Sequence, residues 1–365
     1  MFPCAHELMV VGGTDLLLAP RSGLRPTGLR PMKVLVIRFS SIGDIILTSP
    51  VLRCLKAQRP EAEIHFLTKA VYRDLVAHSP HVAKVHTIAE DVSEAIPALK
   101  REGFTEVIDL HHNLRSWKVK RALGVTAHSF PKLNIEKWLL VNFKRDRMPR
   151  AKDGREPLHI VDRYMRTVEH LGVRNDGLGL ELHLPAEAAA VMNDLPATHV
   201  NGYVALCIGA AHTTKRLPPH KLVAIAQAVH GPLVIIGGKE DQPVARTIAD
   251  AVGARAFNAT GRYDLAGSAA LIRQARSVIA HDSGAMHVAC AFQRPVVSVW
   301  GSTVPLFGMG PYIPQHPERA RILEVQDLSC RPCSKIGFDH CPKGHFHCME
   351  KQDTARIAAL ANNDR

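Results

Sequence analysis

Twice along this chain short β-branched runs alternate with longer amphipathic stretches, and that alternation leaves few folds open. The first round predicts strands at 33–38, 63–67, 84–87 and 105–110, with helices between them at 70–77 and 92–101. A longer amphipathic helix over 159–171 closes it. The second round predicts strands at 203–208, 233–236, 277–280 and 296–300, with helices at 220–229, 244–252, 265–275 and around 285–291. A strand that returns through a helix joins a parallel sheet. The chain therefore reads as α/β, two Rossmann-like halves with a cleft at the carboxyl ends of their strands.

The expected units are a leader at 1–31, an N-terminal half at 32–185, a C-terminal half at 186–350 and a final helix at 351–365. Prolines and glycines between 177 and 196 mark the boundary between the halves. The leader is punctuated by Gly, Pro and Arg with no periodic pattern. It is expected to be disordered or not native, with Met32 the natural start. Its apolar run from Leu8 to Ala19 is broken by Asp15 and has no basic segment before it, so it does not read as a signal peptide. No run approaches the roughly 20 apolar residues that span a bilayer. A cytoplasmic protein is expected, with peripheral contact to the inner face of the membrane left open.

Charge is the other constraint. Lys and Arg number 46 against 34 Asp and Glu, a net charge of +12. The excess gathers between Arg115 and Arg150, where ten basic residues face two acidic ones, interleaved with Trp117, Trp138 and Phe143. Such a patch suits phosphate, nucleic acid or an anionic membrane surface, or is simply a solvated face.

Three loops between a strand and a helix could carry chemistry. In Arg38-Phe39-Ser40-Ser41-Ile42-Gly43-Asp44 the carboxylate sits at the rim of a sheet. It can take a proton from an incoming hydroxyl or cap the helix. The Gly209–Pro218 loop carries Thr213, Thr214, Lys215 and Arg216, which suit a diphosphate or form an ordinary basic loop. In His281-Asp282-Ser283-Gly284-Ala285-Met286-His287 a helix start offers free N–H groups to an anion. There, capping by Asp282 or Ser283 with an interior His287 is the other reading. No G-x-G-x-x-G fingerprint is present, so a dinucleotide site is not supported.

These loops in this order resemble the glycosyltransferase family 9 heptosyltransferases, which transfer heptose from ADP-heptose in building the lipopolysaccharide inner core. The matching segments are 34–50, 109–116, the Lys215 loop and 281–305, and the cysteine-bearing tail is similar too. The resemblance implies a GT-B fold, with acceptor on the first half, donor on the second, and the C-terminal segment able to cross back. It implies an inverting transfer onto a Kdo/lipid A acceptor, an anionic glycolipid. Asp44 would be the base and Lys215 would stabilise the leaving diphosphate, with Thr213 and Thr214 beside it. Asp282, Ser283, Gly284, Ala285, Met286 and His287 would hold the donor phosphates and sugar, and Glu240 the nucleotide ribose. Asn113, Arg115 and His159 would lie on the acceptor side. Leu217 stands where the family usually has Trp, and Ser283 where Thr is commoner.

No cofactor is needed for the transfer on this reading, and no metal. A structural metal at Cys330, Cys333, Cys341 and Cys348 is an alternative to a reduced, packed tail, because the second pair is not closely spaced as in a zinc ribbon. Two rival functions remain: a GT-B transferase using another sugar nucleotide, or a basic nucleic-acid-binding protein with a Cys/His metal tail. No recognisable nucleic-acid module favours the latter, so no nucleic-acid partner is expected. Oligomeric state is not readable.

Overall fold

The computed structural model describes residues 32–151, 154 and 156–362; the expected leader lies outside the described residues. The first sheet is built from β1 (Lys33–Ile37), β2 (Glu63–Lys69), β3 (Lys84–Ile88), β4 (Glu106–Asp109) and β5 (Thr126–Ser129). Its order is β3-β2-β1-β4-β5, with every pair parallel. The second sheet holds β6 (Val204–Cys207), β7 (Leu233–Ile236), β8 (Ala256–Asn258), β9 (Ser277–His281), β10 (Val296–Trp300) and β11 (Ala320–Glu324). Its order is β11-β10-β9-β6-β7-β8, again all parallel.

The central strands are apolar along their whole length because helices cover both faces. Val34, Leu35, Val36 and Ile37 of β1 have no exposed surface, each contributing roughly 1.5–3 kcal/mol by burial. The covering helices of the first half are α1 (Ile42–Ile46), α2 (Ser49–Gln58), α3 (Ile96–Glu102), α4 (Leu114–Leu123), α5 (Asn134–Phe143) and α6 (Ile160–Met165). Those of the second are α7 (Pro219–Ala228), α8 (Gln242–Val252), α9 (Leu265–Gln274), α10 (Gly284–Ala291), α11 (His347–Glu350) and α12 (Thr354–Asn362).

Both sheets reverse their winding beside the central strand, between β1 and β4 and between β6 and β9. At such points the loops that leave neighbouring strands run in opposite directions, and a crevice opens at the carboxyl ends. The Asp44 loop follows β1, the Lys215 loop follows β6 and the Asp282 loop follows β9. All three motifs therefore lie at switch points.

Some expectations change. The helix over 159–171 is two pieces, α6 and a short 3-10 turn at Glu169–Leu171. The Thr167 hydroxyl donates to the Tyr164 carbonyl at its break, the kind of local bond that competes with the helix ladder. Residues 70–77 form a 3-10 helix, Ala70–Leu75, rather than an α-helix. Among the described residues, the C-terminal helix stays on the second half. Ile357, Ala358 and Ala361 of α12 pack with Leu222, Ile225 and Ala226 of α7, on the second half. The crossing is made instead by the first half, where Leu140 of α5 packs with Val304 and Phe307.

Candidate functional site

A cavity of about 1000 Å³ lies between the two sets of strand ends. Asp44, Arg38, Lys132 and Lys137 line it from the first half. Lys215, Glu240, Asp282, Ser283 and His287 line it from the second.

Asp44 occupies the third position of α1. Its Oδ1 pairs with Arg38 Nη2 at 2.7 Å, and its Oδ2 accepts from the Ser41 hydroxyl at 3.0 Å. Burial alone would raise this carboxyl. The Arg38 guanidinium and the Ser41 donors outweigh it, and Asp44 is held below the usual carboxylate range. Arg38 is itself anchored by donating to the Leu110 and Ser40 carbonyls. Asp44 thus closes its own helix start and still faces the cavity, so capping and exposure to a substrate are both met.

Across the cavity, Lys215 Nζ lies 2.7 Å from Asp282 Oδ2, and the Thr303 hydroxyl donates to the same oxygen at 2.7 Å. Asp282 therefore holds the ammonium in place. The helix behind it, α10, starts at Ser283 with no side-chain cap. The Ser283 Oγ and the His287 Nδ1 are shut off from solvent with no hydrogen-bond partner in the protein. A buried polar group without a partner costs on the order of 1–3 kcal/mol, so this cluster is suited to accepting an anion. Burial, opposed by Asp282 and Asp44, takes His287 down to about 4, so it is neutral near pH 7.

The two active rims touch through glycines. A Cβ at Gly43 would lie 2.4 Å from His287 Cδ2, and one at Gly284 would lie 2.9 Å from Ile42 Cβ. Only hydrogen fits at these points, and α1 and α10 meet there end to end.

Not every expected residue reaches the cavity. Thr214 is buried, its hydroxyl 2.8 Å from Ser302 Oγ and bonded to both the N–H and the carbonyl of Phe338. It ties the Lys215 loop to the tail. Thr213 and Met286 do not line the cavity either, Met286 having no exposed surface in the core. On the acceptor side, Asn113 is the cap of α4, accepting from Ser116 N–H at 3.0 Å. Arg115 lies over the Phe39 ring at 5.3 Å. His159 caps α6, lies 3.1 Å from the Gly310 carbonyl and stacks on Tyr312. None of these three lines the cavity.

Three further cations line it that the sequence did not single out, two of them only as part of the charge excess between Arg115 and Arg150. Lys132 and Lys137 flank and enter α5, and Lys335 comes from the tail. Burial, with Arg163 nearby, brings Lys137 down to about 7, and burial with Arg38 also lowers Lys132. The lysine spacing of five across an amphipathic helix start was the available signal. The tail is held by Arg331, which donates to the Gly301, Thr303 and Val325 carbonyls and pairs with Glu324. Among the described residues, no three of its cysteines bring their sulfurs within 4.8 Å of one another. No described helix is long and apolar enough to cross a membrane.

Two parallel sheets facing a cleft, with cations in the strand-to-helix loops of the second half, have the architecture of the GT-B fold. A family model, glycosyltransferase family 9 (heptosyltransferase), matches residues 93–339, more than half of the chain, and the chain belongs to that family. It is similar to lipopolysaccharide heptosyltransferase 2 of Salmonella typhimurium, 26% identical over 80% of this chain and 88% of the relative. Among solved structures it resembles a family 9 glycosyl transferase from Veillonella parvula (TM-score 0.65, 23% identity, 81% of this chain and 86% of the other). It also resembles E. coli ADP-heptose lps heptosyltransferase II (TM-score 0.62, 21% identity, 88% and 98%).

Proposed function

We propose that this glycosyltransferase moves heptose from ADP-heptose onto the inner core of lipopolysaccharide, a Kdo-bearing lipid A acceptor, with inversion at the anomeric carbon. The observation that carries this reading is the opposition of charges across one cavity. Asp44, a carboxylate held ionised by Arg38, faces Lys215 and the uncapped start of α10.

Asp44 takes the proton of the acceptor hydroxyl as its oxygen attacks the anomeric carbon and the bond to the diphosphate breaks. Lys215, the Ser283 hydroxyl and the N–H groups at the α10 start meet the charge that develops on the departing ADP. Glu240, on the 3-10 turn Lys239–Asp241, takes the ribose hydroxyls. Arg38, Lys132, Lys137 and Lys335 suit a phosphorylated, carboxylate-bearing acceptor, which would be met at the inner face of the cytoplasmic membrane. No cofactor is assigned to the transfer, because the protein's own cations stand at the leaving group. The acceptor-binding half is taken as 32–185 and the donor half as 186–350.

The first test is thermal shift with ADP, UDP, GDP and CMP on wild type and Lys215→Ala. Selective stabilisation by ADP, weakened in Lys215→Ala, supports the ADP-sugar reading. Selective stabilisation by UDP or GDP would discard heptose as the donor sugar, and no response to any nucleotide would overturn the assignment of the donor site.

A further inference from the structure

Three groups of histidines and carboxylates gather away from the cleft, and none of their members lines the cavity. They differ in what their lone pairs do. In the first, both oxygens of Glu102 contact lysines, Lys33 and Lys84, and the His65 and His86 nitrogens lie 3.0 Å from each other. Its charges and donors already satisfy one another. In the second, His170 Nε2 and His128 Nε2 lie 2.5 and 3.4 Å from one oxygen, Glu106 Oε1, which is buried without a hydrogen bond. The two rings stack face to face at 3.6 Å and 14°, so their in-plane lone pairs run side by side instead of converging.

The third is different. His81 Nε2 and His183 Nε2 lie 2.9 Å and 3.5 Å from the same oxygen, Glu181 Oε1. The two rings stand edge to face at 76°, an angle that lets their lone pairs meet at one point. Despite the close approach, Glu181 Oε1 and His183 Nε2 are shut off from solvent and form no hydrogen bond. With each ring carrying its proton on Nδ1, two imidazole lone pairs and a carboxylate oxygen face one point, an arrangement that a cation stabilises.

We propose that His81, Glu181 and His183 form a binding site for a divalent transition-metal ion of the zinc type, outside the catalytic cleft. Zinc bonds to imidazole nitrogen and carboxylate oxygen at about 2.0–2.2 Å in tetrahedral geometry, which sets ligand atoms about 3.4 Å apart. The observed 2.9 and 3.5 Å bracket that spacing. The remaining carboxylate oxygen is already committed: Glu181 Oε2 accepts from Arg53 Nη1 at 3.2 Å. Arg53 in turn is fixed by Asp176 at 2.8 Å and by the Gly179 carbonyl at 2.8 Å. Such outer partners orient a ligating carboxylate. The side chains are 19%, 20% and 38% exposed for His81, Glu181 and His183, so the cluster lies close to the surface.

The place in the fold gives the ion a structural task. Glu181 and His183 lie on the segment that leaves the first half for the second, and Glu181 N–H donates to Ser49 Oγ on α2. His81 lies on the loop before β3. An ion there staples the inter-half segment to the first half, next to the helix that follows α1.

Metal content tests this directly. Purified full-length chain, stripped with chelator and reloaded with zinc, is assayed for bound zinc after gel filtration, beside His81→Gln, His183→Gln and the double variant. Folding of each variant is checked by circular dichroism. The expected result is one zinc per chain fewer in each variant than in wild type. Cobalt loading separates this site from the cysteine tail. The wild-type-minus-variant spectrum should show d–d bands of nitrogen and oxygen ligation without thiolate charge transfer. Equal zinc content in wild type and folded variants, or a difference spectrum dominated by thiolate, would overturn the site.

Discussion

Gly43→Ala puts a single methyl group where the two halves meet, and its effects can be worked out from the contact. The new Cβ would stand 2.4 Å from His287 Cδ2 and 3.2 Å from His287 Nε2. Carbon atoms in contact sit about 3.5–4.0 Å apart, so one side must move by more than about 1 Å. His287 is 3% exposed and α1 is backed by Ile45 and Ile46, each 2% exposed, so neither yields freely. Overpacking of this kind costs about 1–3 kcal/mol. Asp44 is the next residue, and a misplacement of about 1 Å in a reacting group lowers rate by on the order of 100-fold. Stability by urea unfolding and transfer rate should therefore fall together.

The cause is isolated by a double-mutant cycle with His287→Ala, which removes the ring the methyl would strike. Relief of the clash makes the pair non-additive, with a coupling of about 1–3 kcal/mol in the favourable direction. Because His287 lines the cavity at the proposed donor site, only stability should be rescued, not turnover. If the two stability costs add to within about 0.5 kcal/mol, Gly43 and His287 do not meet and the end-to-end contact of α1 with α10 is wrong.

Asp44→Asn should lower turnover by about 100- to 10,000-fold, the range of general base catalysis, while ADP affinity by calorimetry stays unchanged; loss of both together would sink its role as base. Thr303→Val keeps the shape of a buried side chain and removes the hydroxyl that donates to Asp282. It should weaken ADP binding by about 5- to 10-fold, on the order of 1 kcal/mol, and unchanged binding would show that Asp282 needs no such support. Lys137 is brought down to about 7 from an ordinary lysine value. Between pH 7 and about 10.4 the unfolded chain holds this proton and the folded chain does not, so its contribution to stability rises with pH across that window. Its charge in the cleft is lost over the same pH rise. The acceptor KM should therefore climb as pH passes about 7 in wild type but not in Lys137→Arg, and identical profiles would exclude Lys137 from acceptor binding.

The fold was legible where strands are wholly buried. Val204–Cys207 and Leu233–Ile236 are continuous apolar runs, and Val296–Trp300 is one but for Ser298; a run of that kind between turn signals has few other fates. The strands that escaped notice are at or near the sheet edges. Thr126–Ser129, Ala256–Asn258 and Ala320–Glu324 are short, half exposed or polar, so no pattern distinguishes them from loop. The same limit applies to the site. Loops at switch points are announced by local sequence, and Asp44, Lys215, Asp282, Ser283 and His287 all reach the cavity. Whether a side chain turns inward or caps its own helix depends on packing that a local pattern does not encode, which is why Thr214 and Asn113 are taken up by structural bonds. Lys335 needed the tail to fold beneath the Lys215 loop before it could reach the cleft at all.

A carboxylate held below its usual range is a weak base, and this bears on the order of events in the proposed transfer. A general base works best with a pKa near the working pH, whereas Arg38 keeps Asp44 well away from it. Asp44 therefore cannot ionise a sugar hydroxyl before attack. It can take the proton once bond formation to an electron-poor anomeric carbon has made that hydroxyl acidic. Departure of the diphosphate then has to run ahead of proton transfer, and the burden falls on the groups that stabilise the leaving charge. Those groups are already in place: Lys215 is held by Asp282, the Ser283 hydroxyl is unpartnered and the start of α10 carries no side-chain cap. When a diphosphate occupies the site, Lys215 gains a second anion and its hold on Asp282 is shared. The resting ion pair thus positions the ammonium without consuming it. On this argument Lys215→Ala and Asp44→Asn differ in kind. Loss of the lysine slows departure with every acceptor, whereas loss of the carboxylate is felt less as the attacking hydroxyl becomes more acidic. Comparing the two variants on a series of acceptors with hydroxyls of graded acidity separates the roles. A parallel response in both would mean that proton transfer and departure are not ordered in this way.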